Sequence, residues 1–385
     1  MDNIIERALD LSPILARKSV FLFGPRQTGK STYLAHKYPD SPCYSLLQAG
    51  TYLDFSRDPA RLGRELAAAD VAGRPVIIDE IQKLPALLDE IHLLIEKQRI
   101  KFILTGSSAR KLRKAGVNLL GGRAAKVTFH PLTHRELGEE FDLDRALQYG
   151  TIPSVWRSAQ PWEDLKDYVD TYLREEIMAE GLSRNLPVFS RFLETAALCS
   201  GQMINFAKIG SDAQVAHTTA YEYFQILKDT LIAYEVPPFR RTVKRKAIAT
   251  AKYYFFDNGV TRYLQGRDRL TRQDADFGTA LESYCHHELK SFADYHRLPE
   301  VYYWRSASGF EVDFILNGNI AIEIKSTRHV NAHDLRGLKA LAEEKMMRDY
   351  LLVSLDKGRQ VWDGVTCLPI EDFLRELWEG KYRLL

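Results

Sequence analysis

Phe21-Leu22-Phe23-Gly24-Pro25-Arg26-Gln27-Thr28-Gly29-Lys30-Ser31-Thr32 places an apolar strand directly before a glycine-bearing turn that fits G-x-x-x-x-G-K-[ST] without a mismatch. Gly24 and Gly29 let the backbone curl so that successive N–H groups point at one phosphate chain. In such a loop Lys30 reaches the terminal phosphates and the Ser31 hydroxyl holds Mg²⁺. The helix that opens at Lys30 aims its positive end at the same anion. The stretch Gly24–Thr32 therefore predicts a nucleoside triphosphate site, with ATP and Mg²⁺ as its cofactors.

Downstream, Val76-Ile77-Ile78-Asp79-Glu80 is an apolar strand ending in an acidic pair. Asp79 is placed to hold Mg²⁺ through water, and Glu80 to orient or activate the attacking water. A third strand, Phe102–Thr105, runs into Gly106-Ser107-Ser108, and Thr105 or Ser107 would sit beside the terminal phosphate. Gly121-Gly122-Arg123 offers an arginine to nucleotide, in cis or from a neighbouring subunit, which leaves a homo-oligomer open. Strand patterns at Ser19–Phe23, Cys43–Leu47, Pro75–Asp79, Lys101–Thr105 and Ala125–Phe129 alternate with helical ones such as Ala86–Lys97. Strands separated by helices predict an α/β fold with a parallel sheet covered on both faces.

Around this core the chain is ordinary in composition, with 45% hydrophobic, 11% aromatic and 27% charged residues among 385. A net charge of +2 predicts no polyanion partner by itself, so local patches must carry that argument. No apolar run approaches bilayer length and the N-terminus is unlike a signal peptide, so no membrane partner is expected. Cys43, Cys199, Cys285 and Cys367 are widely spaced, which suits a reducing cytoplasm. Cys285-His286-His287 is no metal set, because adjacent helical residues point about 100° apart.

The spacing divides the chain into 1–142, 143–265 and 266–385. The middle region is helical, then Ile204–Leu231 reads as a helix, a short turn and a longer helix, with strand-like pieces at Ala233–Val236 and Lys252–Phe256. A winged helix fits that order. Arg240-Arg241-Thr242-Val243-Lys244-Arg245-Lys246 would then be its wing and a contact for DNA phosphates, or else a solvated loop.

Taken in order, the phosphate loop, VIIDEIQKLP (76–85), FILTGSSARKL (102–112), GGR (121–123) and FHPLTHREL (129–137) resemble the AAA+ and STAND ATPases. They look in particular like bacterial and archaeal AAA-type ATPases that carry a DUF4143 C-terminal region. The second half agrees through ILKDTLIAYEVPPF (226–239), YYFFDNGVTRYL (253–264), ALESYCHHEL (280–289), YYWRSASGFEVDFIL (302–316) and IEIKST (322–327). Many relatives of this kind place Asn where Thr105 or Ser107 stands here.

The C-terminal third carries a second chemistry. Asp313, then Glu323-Ile324-Lys325 on the next strand, resembles the PD-(D/E)xK set of restriction-endonuclease-like folds, with Glu282 on the preceding helix as the extra acid. The resemblance implies a second Mg²⁺ or Mn²⁺ held by Glu282, Asp313 and Glu323, with Lys325 positioning water for attack on phosphate. Register decides whether the set can assemble. A three-residue loop Asn317–Asn319 pairs Asp313 with Glu323 on one face, whereas a two-residue turn sends them to opposite faces. The sequence thus predicts an ATPase whose nucleotide state controls winged-helix and nuclease-like regions acting on DNA. The alternative is a nucleotide switch whose C-terminal region cleaves nothing and binds a protein.

Overall fold

The computed structural model describes residues 4–69, 71, 73–108, 110, 112, 120–173 and 186–383; the helical reading across 174–185 falls outside them. The chain packs into two compact units that divide after His130, with Asp229–Leu231 grouped with the first. The first unit closes at His130, and the next residues are tied into the second unit. Leu132 donates its N–H to Thr151 O, and His134 donates to Glu288 Oε1.

The first unit is built on five strands: β1 (Ser19–Phe23), β2 (Cys43–Ser45), β3 (Val76–Asp79), β4 (Phe102–Gly106) and β5 (Ala124–Thr128). All pair in parallel, in the order β2-β3-β4-β1-β5. β1 and β4 are buried at every position, as the unbroken apolar runs of a sheet covered on both faces require. The helix Leu87–Gln98 buries Leu87, Leu88, Ile91 and Leu94 as one stripe. β2 stops at Ser45, two residues short of the apolar run.

The second unit begins with short helices and Leu186–Leu198, then Phe206–Asp212 and His217–Asp229 in helix-turn-helix order. Two antiparallel strands follow, β6 (Ala233–Val236) and β7 (Lys252–Phe255). The long helix Phe277–His296 leads into a six-stranded mixed sheet ordered β12-β13-β11-β10-β9-β8. Its strands are β8 (Tyr302–Arg305), β9 (Glu311–Leu316), β10 (Ile320–Lys325), β11 (Asp349–Ser354), β12 (Gln360–Trp362) and β13 (Val365–Pro369). β8, β9 and β10 form an antiparallel meander, and β11 then joins β10 in parallel. The segment between β6 and β7 lies along β8: Phe239 N–H donates to Tyr303 O (2.7 Å) and Ile248 N–H to Arg305 O (2.8 Å). That pairing knits the middle and C-terminal regions, separate in the sequence pattern, into one body.

Candidate functional site

The carboxyl ends of β1, β4 and β3 gather the first site. β1 pairs β4 with Leu22 opposite Thr105, and β4 pairs β3 with Leu104 opposite Ile78. The phosphate loop, Thr105 and Asp79 therefore stand side by side across two strand spacings, roughly 10 Å. β1 is also where strand order reverses, the place where open α/β sheets form a crevice. Within the loop, Gln27 and Gly29 have positive φ (59° and 90°). A Cβ at Gly24 would lie 2.3 Å from Phe129 O, so only glycine fits there. The Thr28 hydroxyl donates to Pro25 O at 2.9 Å. Lys30 turns back over the loop and donates to Gly24 O (2.7 Å) and Pro25 O (2.9 Å). Arg26, Gln27, Ser31 and Thr32 are exposed.

Thr105 joins the acidic pair. Its hydroxyl donates to Asp79 Oδ1 at 2.5 Å and accepts the Glu80 N–H at 3.1 Å. Ser45 donates to the other Asp79 oxygen at 3.3 Å. Glu80 is in the left-handed region (φ 62°), and Gln82 Nε2 donates to its Oε2 at 2.5 Å. Strained backbone of this kind persists only where its surroundings fix it. The curled loop, the lysine and an oxygen-rich pair with a neighbouring serine fit a triphosphate with Mg²⁺. Arg123 does not join them. It precedes Ala124, which pairs with Ser19 at the amino end of β1, and it bonds Glu96. Four residues of strand, about 13 Å, separate that edge from the loop. The cis role read from the Gly-Gly-Arg turn is thereby corrected.

The second unit holds a cluster of opposite charges. The β9–β10 hairpin takes the three-residue register, with Leu316 opposite Ile320 and Phe314 opposite Ile322. Asn317 and Gly318 turn it with positive φ (58° and 73°). One step beyond the ladder, Asp313 Oδ2 accepts the Ile324 N–H at 2.8 Å, and Lys325 donates to Glu323 Oε1 at 2.5 Å. Burial, then Glu323 and Glu282, holds the Asp313 carboxyl well above the usual carboxylate range. Glu323 is likewise raised by burial, against the pull of Lys325. From β7, Lys252 bonds Glu282 (3.2 Å) and Glu311 (2.6 Å), and Tyr254 donates to Glu282. Glu282, Asp313, Glu323 and Lys325 thus come together. Their carboxylates close on two lysines, however, and among the described residues no three His, Cys, Asp or Glu side chains stand in metal-ligand geometry.

Comparison with known proteins sorts the two units. An AAA domain model (AAA_14) matches residues 16–138. With the strand order and loop geometry above, that match decides the first unit. The N-terminal unit is an AAA-type P-loop ATPase domain. Two domains of unknown function match the remainder, DUF8612 over 140–271 and DUF4143 over 277–373. An uncharacterized protein of Mycobacterium tuberculosis is 27% identical, covering 96% of this chain and 83% of its own. One from Haemophilus influenzae is 22% identical over 55% of this chain and 56% of its own. Among solved structures, the Aeropyrum pernix Orc1 protein in complex with DNA covers 66% of this chain and 89% of its own, at 15% identity and TM-score 0.25. A Pyrococcus horikoshii STAND protein with a tetratricopeptide repeat sensor covers 77% and 47%, at 14% identity and the same TM-score. Superpositions that loose carry no argument about either unit.

The first unit also contains a residue that the sequence pattern did not disclose. Arg7 donates to Thr28 O (2.7 Å) and His130 O (2.6 Å), with its guanidinium 4.1 Å from the Phe129 ring centroid. It ties the phosphate loop to the end of β5. In the second unit Lys252, Tyr254 and Glu311 were missed as members of the acidic cluster. The basic loop is partly engaged: Glu344 accepts the N–H groups of Val243, Lys244 and Arg245 at 2.8–2.9 Å, and Arg245 pairs with Glu343. Arg240, Arg241, Lys244 and Lys246 stay exposed. His286 stacks on Tyr254 (4.4 Å, 12°) and His287 Nε2 bonds Leu132 O at 3.0 Å, so both histidines pack the core.

Proposed function

We propose that the chain is a cytoplasmic Mg²⁺-dependent ATPase whose nucleotide state governs a DNA-directed, endonuclease-like second unit. Bound at Ser31 and Asp79, Mg²⁺ would supply charge neutralisation on the triphosphate. Lys30 and the loop N–H groups hold the phosphates, and Glu80 takes a proton from the attacking water as the bond to the leaving oxygen breaks. Thr105 couples Asp79 to Glu80 and so to the filled site. Arg123 is left to serve a neighbouring copy in a homo-oligomer.

For the second unit, the observation that carries the reading is the hairpin register, which leaves Asp313 beside Glu323-x-Lys325 with Glu282 across from them. The helix-turn-helix followed by β6 and β7 supports a winged helix, with the exposed cations of 240–246 facing DNA phosphates. A second reading rests on the two lysines: carboxylates already neutralised suit a non-cleaving domain that binds a protein partner. Supercoiled plasmid incubated with full-length protein, ATP and Mg²⁺ or Mn²⁺ decides between them. Nicking that Asp313→Asn and Lys325→Ala abolish supports the nuclease. Intact plasmid under every condition supports the switch.

A further inference from the structure

Lys252 is the least expected member of the acidic cluster. It comes from the hairpin that follows the helix-turn-helix, yet its side chain is only 5% exposed and bridges Glu282 and Glu311. Tyr254, two residues on and so on the same strand face, holds Glu282 as well. Lys252 lies in the wall of a cleft of about 420 Å³ also lined by Gln202, Thr279, Glu282, Arg305 and Glu311. Four carboxylates (Glu282, Glu311, Asp313, Glu323) here face three cations, Lys252, Lys325 and Arg305. Removing Lys252 would take away the cation bonded to Glu282 and shared with Glu311. A separate observation points the same way: Glu323 Oε2 is buried and has no hydrogen-bond partner. An acceptor left in that state is costly unless something fills it.

We propose that Lys252 is an internal counter-cation that closes the acidic cluster to divalent metal. This rests on the reading of Asp313 and Glu323 as metal ligands. An ammonium and a divalent ion cannot share the same carboxylates, because like charges within about 4 Å repel strongly away from bulk water. Lys252 is fixed there by its strand: β7 pairs with β6, and the segment between them is bonded along β8 through Phe239 and Ile248.

Mn²⁺ binding to full-length, ATP-free protein tests this, followed by electron paramagnetic resonance. Lys252→Met is expected to bind one Mn²⁺ at least tenfold more tightly than wild type, and Lys252→Met/Asp313→Asn to lose that site. Lys252→Arg is expected to behave as wild type. Equal Asp313-dependent affinity in wild type and Lys252→Met, or no such site in Lys252→Met, overturns the proposal. Plasmid in the same tubes separates it from the nuclease reading. Tight Mn²⁺ without nicking sinks only the nuclease, whereas Asp313-dependent nicking with no gain in affinity sinks only the closure. If Lys252→Met does not fold, acetylation of wild type read by mass spectrometry decides. Lys252 should react at least tenfold more slowly than Lys244 and speed up in millimolar Mn²⁺; a rate that Mn²⁺ leaves unchanged contradicts the closure.

Discussion

The Thr105 hydroxyl donates to Asp79 Oδ1 at 2.5 Å while accepting the N–H of Glu80, so one side chain fixes both acids of the nucleotide site. Thr105→Val keeps the shape and removes both bonds, leaving a donor and an acceptor without partners at about 1–2 kcal/mol. Steady-state ATPase assays should show kcat about tenfold lower, with KM for ATP little changed. A lowered affinity at unchanged kcat would place Thr105 in binding and not in the hydrolytic step.

Arg7 clamps the phosphate loop through Thr28 O and His130 O. Arg7→Ala removes charge-assisted bonds worth about 1.5–3 kcal/mol in a half-buried setting. Nucleotide titration should give an affinity lower by roughly tenfold. Arg7→Lys should recover little, since one ammonium lacks the fork that spans two carbonyls. Unchanged affinity in Arg7→Ala would mean that the loop holds its shape unaided.

Glu288 is enclosed in the second unit, accepting from Tyr284, Trp378 and the His134 N–H. Burial nonetheless lifts its pKa from 4.5 to about 7, against those donors. A carboxyl raised in the folded state contributes most below its unfolded value, and that contribution is lost as pH rises through the folded value. Denaturant unfolding should therefore show wild type losing on the order of 2 kcal/mol more than Glu288→Gln between pH 5 and pH 8. Glu288→Gln starts less stable, because its amide faces donors, but its profile is flatter. Parallel profiles would show that Glu288 is ionised throughout.

The basic loop gives a prediction in salt. If Arg241 and Lys244 each meet a DNA phosphate, Arg241→Glu/Lys244→Glu should reduce the slope of log affinity against log salt by about 2. Fluorescence anisotropy with a random duplex measures it. Glu344→Ala, which frees three loop N–H groups, should speed hydrogen exchange at 243–245. An unchanged slope would remove the loop from the DNA surface.

Much of this was legible in local pattern. The loop Gly24–Thr32, the strand ending in Asp79-Glu80 and the alternation of strands and helices are short-range signals, and the AAA domain follows them. Asn317–Asn319 allowed either a three-residue or a two-residue turn in sequence, and the strand pairing selects the three-residue register. What escaped was long-range. Lys252 meets Glu311 across 59 positions and Arg7 meets His130 across 123, with no periodicity to mark either. Arg123 was misplaced because a Gly-Gly-Arg turn does not say which end of the sheet it occupies. The basic loop read in sequence as a contact for DNA phosphates or a solvated loop, and nothing local announces that Glu344 caps its backbone.

The most direct test of the central account is ATP turnover by wild type, Lys30→Ala and Glu80→Gln, paired with nucleotide binding by each. Wild type should bind and hydrolyse ATP in Mg²⁺. Lys30→Ala should lose binding, and Glu80→Gln should bind ATP while turning over at least a hundredfold more slowly. Hydrolysis by Glu80→Gln at the wild-type rate, or tight ATP binding by Lys30→Ala, would contradict the roles given to these residues.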